Sequence, residues 1–349
     1  IEAGFRRSED KQTVHERVVI EDIPSGNWIP GDPNTDSTGT QEGDSWRVAL
    51  SVKPSDGLLV YLSRDEGYRP GGINTVLGSN EAVPNFTRTF NPEMVETWEL
   101  GLKYQFATDY ISQGFVNVNF FTNKFADIQR NARAIVNNRN VIWTANVAEA
   151  TLEGVEIKAG ITMNRWALDV NYSYNDSEYD EWIGNDPTGE IGVGDPGCLP
   201  QSPVGQCLVD NSGIGFRSNP KHQLGATVSY QLPIPSHIGQ VSASLTASYR
   251  DEMFITENNT REIEAYAGLT VGETMEEAST APSYTLINAR VDWRNAFGSN
   301  FDVALWGLNL SDKIVPTSAL VIPNSLGSVS KIFNRPRTYG VELTYNFER

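Results

Sequence analysis

Residues able to do acid–base, nucleophilic or metal chemistry are few in this chain and poorly spaced for it. The three histidines, His15, His222 and His237, lie far apart in sequence and fall in no ligand-spaced cluster. No G-x-S-x-G elbow, phosphate-binding G-x-x-x-x-G-K-[ST] loop or H-E-x-x-H helix occurs. Asp32, Asn34 and Asp36 open like a calcium loop. The next position is Ser37 where the turn wants glycine, and the twelfth is Gly43 where the ion wants a bidentate glutamate. The expectation is no catalytic residues, no metal, no cofactor and no enzyme activity.

The two cysteines, Cys198 and Cys207, have eight residues between them in a Gly- and Pro-rich stretch. That is not the CxxC spacing of redox or metal work. It fits a disulfide stapling a small loop in an oxidising compartment, or two free thiols. The net charge of −17 excludes nucleic acid as a partner, since that needs a basic stripe. It keeps polar loops soluble, or it attracts cationic ligands.

Apolar residues make up 39% of 349, and no run reaches the roughly 18 needed for a membrane helix. A membrane barrel is a different matter, because it shows lipid only every second residue. Residues 166–175 display that pattern. Trp166, Leu168, Val170, Tyr172 and Tyr174 share one face, and Ala167, Asp169, Asn171, Ser173 and Asn175 share the other. Residues 240–250 repeat it, as does 338–347, where Tyr339, Val341, Leu343, Tyr345 and Phe347 oppose Gly340, Glu342, Thr344 and Asn346. Twelve such segments are expected: 1–10, 45–53, 58–68, 97–106, 111–124, 148–160, 166–175, 223–231, 240–250, 283–294, 300–310 and 338–347.

Short links (54–57, 107–110, 161–165, 232–239, 295–299) alternate with long ones (about 21–44, 69–96, 125–147, 176–215, 251–282, 311–337) without a break in parity. Short inner turns and long outer loops mark a transmembrane barrel. Aromatics such as Phe106, Trp166 and Phe301 gather at the short-turn ends, and Trp98, Phe216 and Tyr249 at the long-loop ends, as two interfacial girdles. A soluble sandwich also alternates, but its strands run to about five or six residues rather than ten. Arg47, Lys103, Lys158, Arg250 and Arg290 are expected to face the lumen or lie near its rims.

Six motifs in order then carry a resemblance. They are Gly67-Tyr68-Arg69-Pro70-Gly71-Gly72-Ile73-Asn74; Phe90-Asn91-Pro92-Glu93 with Glu99-Leu100-Gly101-Leu102-Lys103; Asn146-Val147-Ala148-Glu149-Ala150 with Gly154-Val155-Glu156; Asn219-Pro220-Lys221-His222; Asn309-Leu310-Ser311-Asp312; and Arg335-Pro336-Arg337-Thr338-Tyr339-Gly340. Together they resemble the C-terminal part of the β-barrel of TonB-dependent outer-membrane receptors.

The resemblance implies an all-β, antiparallel transmembrane barrel of about 22 strands with a plugged lumen, of which about twelve are present here. Residues 1–349 would be the C-terminal half of that barrel, an open curved sheet if alone, with the N-terminal plug domain and first strands absent. It implies TonB-energised uptake of a scarce ligand, such as an iron–siderophore complex, across the outer membrane of a Gram-negative bacterium. Its partners would be membrane lipid and lipopolysaccharide, the periplasmic coupling protein TonB, the plug, and a small-molecule or metal-chelate ligand. Candidate ligand contacts are aromatics and cations near the mouth: Tyr68, Arg69, Trp143, Tyr179, Trp182 and Arg217. The alternatives are a passive pore closed by its own twelve strands and a surface-interaction barrel.

Overall fold

The computed structural model describes residues 1–22, 27–74, 86–136, 139–186, 193–194, 196–256, 279–322 and 328–347. Side chains of 16–36, 135–140, 321–322 and 328–329 lie outside the description. Twelve strands form one antiparallel sheet in chain order, and a short thirteenth, Val209–Asp210, pairs with Ile183 and Gly184 off that path. The twelve are β1 Glu2–Asp22, β2 Asn27–Ser55, β3 Leu58–Arg69, β4 Glu93–Phe106, β5 Gln113–Val136, β6 Arg139–Met163, β7 Trp166–Gly184, β8 His222–Gln231, β9 Gln240–Arg250, β10 Tyr284–Arg294, β11 Phe301–Leu308 and β12 Thr338–Tyr345. Among the described residues no ladder joins β1 to β12, so the sheet is open at both edges.

Register carries the apolar alternation from strand to strand. Leu50 faces Leu62, Leu62 faces Leu100, Leu100 faces Phe120, Phe120 faces Val155, and Val155 faces Tyr174. Farther along, Leu168 faces Val228 and Val228 faces Leu245. These side chains do not enter a dry core: Leu100 is 48% exposed, Phe120 51% and Leu245 47%. A continuous apolar sheet face left open in this way has lipid as its matching medium.

The opposite face is polar and internally paired. Arg47 meets Asp65 at 2.8 Å, and Arg290 meets Asp292 at 2.8 Å and Glu342 at 3.2 Å. Tyr61 bonds Glu99 and donates to Asn119 at 3.1 Å, its ring lying across Gly101, where a Cβ would collide with it. Gly340 lies under Trp306 in the same way.

Aromatics at the long-link end of the apolar face point their polar tips away from the band. Trp98 donates to Glu96 at 2.9 Å, Tyr174 to Asp176 at 3.2 Å and Tyr249 to Asp251 at 3.2 Å. Each acid is two residues farther from the band, as expected where apolar medium gives way to water.

The expected strand order holds, but several long links are not loops. β1 and β2 stay paired up to Asp22 and Asn27, β5 and β6 up to Val136 and Arg139, and β7 runs to Gly184. The 311–337 link contains its own hairpin, Pro316–Ile322 with Ser328–Phe333. Beyond the band no continuous lipid-facing stripe is needed, so the backbone ladder continues without the alternation that betrays a strand. For the same reason Asp32, Asn34 and Asp36 belong to strand backbone rather than to a loop. Phe216 also departs from expectation: it joins no girdle and stacks on Tyr179 instead.

Candidate binding surface above the sheet

The long-link end is where this single-layered sheet acquires a core. A bulge between Glu149 and Ala150 lets Tyr179 and Trp182, three residues apart, face the same side of β7. They pack with Ile128, Ala148, Ala150 and Ile214. Phe216 stacks on Tyr179 at 4.4 Å, and Trp182 leans on it at 4.8 Å. Arg130 donates to the Tyr179 hydroxyl at 2.6 Å and sits about 5.4–5.5 Å from both ring centroids. The segment after β7 is drawn back over this platform. Asn211 N–H donates to the Trp182 carbonyl at 2.7 Å, and Ser212 accepts from Trp182 N–H at 3.0 Å. A disulfide joins Cys198 to Cys207 in that segment.

A second group of side chains ties the glycine-rich segment to β5 and β6. Buried Gln129 donates to the carbonyls of Pro70 at 2.9 Å and Asn91 at 3.1 Å, while its own N–H reaches Glu93 at 3.0 Å. Asn146 donates to the carbonyls of Asn91 and Asp127 and accepts from Asn91 N–H at 2.8 Å. Asn74 donates to the carbonyls of Thr87 and Thr144 and accepts from Thr144 N–H. Gly71 has to be a glycine, because the Phe90 carbonyl occupies the space of a Cβ. A third group, at Asn309, holds the last hairpin in the same manner.

The six residues expected near the mouth do not act as one site. Trp143, Tyr179 and Trp182 are 4%, 7% and 4% exposed. Trp143 packs edge-on to Phe86 at 6.1 Å. These three rings hold the platform, with their faces covered by neighbours. Tyr68 reaches Asp10 at 3.4 Å, Arg69 pairs loosely with Glu93 at 3.8 Å, and Arg217 is exposed with its backbone bridged to Phe254. Of the six, only Tyr179 and Trp182 are brought together by direct ring contact.

Beside the platform lies a cavity of about 460 Å³. It is lined by β7 residues 175–177, the 215–221 segment and the chain after β9. Ser218 N–H bonds the Phe254 carbonyl at 2.8 Å there, and Met253–Phe254 pairs with Thr280–Ala281. Phe216, Met253 and Phe254 form apolar wall, while Asp176, Asp251 and Glu252 line its polar part. Lys221 reaches Asp176 at 3.3 Å, and that hydrogen bond and charge raise the lysine pKa above its ordinary value. Arg130, Asp251, Glu252, Met253 and Phe254 were not expected from sequence. The only sequence sign of the last four was two acids followed at once by two large apolar residues just past a strand. Among the described residues no group of three His, Cys, Asp or Glu could hold a metal ion.

The family model described as TonB dependent receptor-like, beta-barrel matches residues 1–310. Solved structures share the fold. The ferric yersiniabactin uptake receptor FyuA from Yersinia pestis is 16% identical with a TM-score of 0.67, matched over 99% of this chain and 43% of its own. The siderophore receptor PiuA from Acinetobacter baumannii is 20% identical with a TM-score of 0.62, over 98% and 40%. The ferric preacinetobactin receptor BauA from the same species is 16% identical with a TM-score of 0.58, over 98% and 40%. The chain thus spans less than half the length of these receptors.

Proposed function

From the premise that this chain belongs to the TonB-dependent receptor family of Gram-negative outer-membrane proteins, we propose that it is barrel wall and outer binding surface of a receptor that takes up a scarce ligand actively. Uptake is energised through TonB by way of a plug domain in the lumen. The lead ligand class is an iron–siderophore complex: PiuA is named a siderophore receptor, and FyuA and BauA are named for ferric yersiniabactin and ferric preacinetobactin. In this reading the chain is the C-terminal half of the barrel; plug and first strands come from elsewhere in the polypeptide. Lipid and lipopolysaccharide contact the apolar face. The role is transport, and no catalytic step is assigned.

The observation that carries the reading is the pair of open edges, β1 and β12, on a sheet whose apolar face is intact. Unpaired backbone cannot face hydrocarbon, so these edges call for further strands rather than for a pore of twelve. That counts against the passive closed pore. Tyr68, Arg69, Trp143, Tyr179, Trp182 and Arg217 remain candidates for shaping the ligand surface, the buried three by holding it up. The test is growth and labelled-ligand uptake by cells carrying the full-length protein, over a panel of ferric chelates, with and without functional TonB. Uptake that depends on both protein and TonB supports the reading. Passive diffusion of unrelated solutes, indifferent to TonB, would overturn it.

A further inference from the structure

We propose that the 460 Å³ cavity between Phe216, Phe254 and the Asp251–Glu252 pair binds a ligand with a flat apolar body and a cationic group. The inference rests on the uptake reading and narrows its ligand class.

The size suits a small organic molecule, since such sites span about 300–1,000 Å³. Its apolar walls are held from behind. Phe216 is fixed by its stack on Tyr179, which Arg130 and Trp182 support in turn. Met253 and Phe254 are fixed by pairing with Thr280–Ala281, and Met253 packs with buried Ile255 and Ala281. Rings and a thioether held in this way offer a flat molecule area at little ordering cost.

Charge decides the rest. Among the described residues, Asp176, Asp251 and Glu252 line the cavity against one cation, Lys221, and that cation is committed to Asp176 and to the Tyr174 ring 5.6 Å away. Asp251 accepts from the Tyr249 hydroxyl and from Glu252 N–H, which orient its carboxylate without neutralising it. An anionic ligand entering here meets like charge, whereas an ammonium or other cationic head finds two carboxylates that have no basic partner among the described residues. Asn175 and Asn219 supply further hydrogen-bonding groups on the lining. The cavity therefore selects against polyanionic chelates and for cationic ones with an apolar or aromatic body.

Two probes of one shape and opposite charge test this: tryptamine and indole-3-acetate, titrated calorimetrically into the full-length protein in micelles, with empty micelles as control. Tryptamine is expected to bind and to weaken with added salt, and indole-3-acetate not to bind. Replacing both Asp251→Asn and Glu252→Gln should weaken tryptamine about tenfold. Lys221→Gln should tighten it about threefold, an opposite change that misfolding cannot mimic. Equal binding of the two probes, tighter binding of the carboxylate, or indifference to all three substitutions overturns the proposal. Cells that import a ferric chelate through a protein that ignores tryptamine would sink this inference alone. Tryptamine binding by a protein that imports nothing would sink the uptake reading and leave the cavity standing.

Discussion

The Asp312 carboxylate accepts the backbone N–H of Arg337 at 3.0 Å and lies 3.5 Å from the same residue's guanidinium. One residue type from the Asn309-Leu310-Ser311-Asp312 motif thereby grips the closing-strand motif Arg335-Pro336-Arg337. Asn309 completes the grip from a left-handed backbone position, donating to the carbonyls of Lys313 and Arg335 and accepting from Lys313 N–H. Two motifs 23 or more residues apart in the chain are thus one clasp that places β12 against β11.

The two members of the clasp should differ in weight. Asp312 and Arg337 are each about half exposed, so their ion pair is worth under about 1 kcal/mol. Asn309 is 4% exposed, and Asn309→Ala strips its partner from the Arg335 carbonyl and from the Lys313 N–H, at about 1–3 kcal/mol each, while the Lys313 carbonyl keeps Asn334. Urea unfolding of the full-length barrel, followed by loss of its heat-resistant gel mobility, should shift far more for Asn309→Ala than for Asp312→Ala.

Gln129→Leu removes the donors it supplies to the carbonyls of Pro70 and Asn91, leaving the Pro70 carbonyl without its side-chain partner and the Asn91 carbonyl held by Asn146 alone. The β-sheet below does not depend on them. Limited proteolysis should show new cleavage within 70–92, with barrel resistance unchanged. A variant as resistant as the parent at 70–92 would remove Gln129 from the role assigned to it.

Leu245 and Thr246 are neighbours on opposite faces of β9. Leu245→Arg places a charge against hydrocarbon at about 2–4 kcal/mol near the midplane. Thr246→Arg costs mainly the 2.9 Å hydroxyl contact with Thr227, about 1 kcal/mol. Folding yield into lipid vesicles should fall for the first and stay near the parent for the second.

Loss of the Cys198–Cys207 crosslink frees a short loop that platform hydrogen bonds also anchor. Closing such a loop is worth about 2–3 kcal/mol in the chain-entropy picture, and that stabilisation is local to the outer segment. Hydrogen exchange should quicken across 196–221 in a Cys198→Ser, Cys207→Ser variant and stay unchanged in β8 to β12.

The wall strands were legible because one face is apolar and the other wet over each crossing, as at Trp166 to Asn175. Their extensions were not, because from Ser177 upward in β7, or beyond Phe125 in β5, polar residues are frequent and the large apolar ones, such as Tyr179, Trp182 and Ile128, do not keep the period of two. The motifs were legible as strings, but not the clasps between them. The bonds from Asn146 to Asn91, or from Asn309 to Arg335, join residues with no local period connecting them. Trp143, Tyr179 and Trp182 stood out as large rings near the mouth. Whether a ring faces solvent or supports a neighbour depends on a bulge and a returning segment, and neither leaves a mark in composition. The cavity draws on four separated stretches of chain, so only its Asp251–Phe254 edge could be seen in the sequence at all.

Nitroxide labels placed singly at Glu99, Leu100, Leu245, Thr246 and Ala247 of the full-length protein in bilayers measure directly which medium each face meets. Collisions with oxygen, which concentrates in lipid, should peak at 100, 245 and 247, and collisions with a water-soluble nickel chelate at 99 and 246. Labels at 100, 245 and 247 shielded from both reagents, or the same accessibility at successive positions, would contradict a wall with lipid on one side and a hydrated lumen on the other.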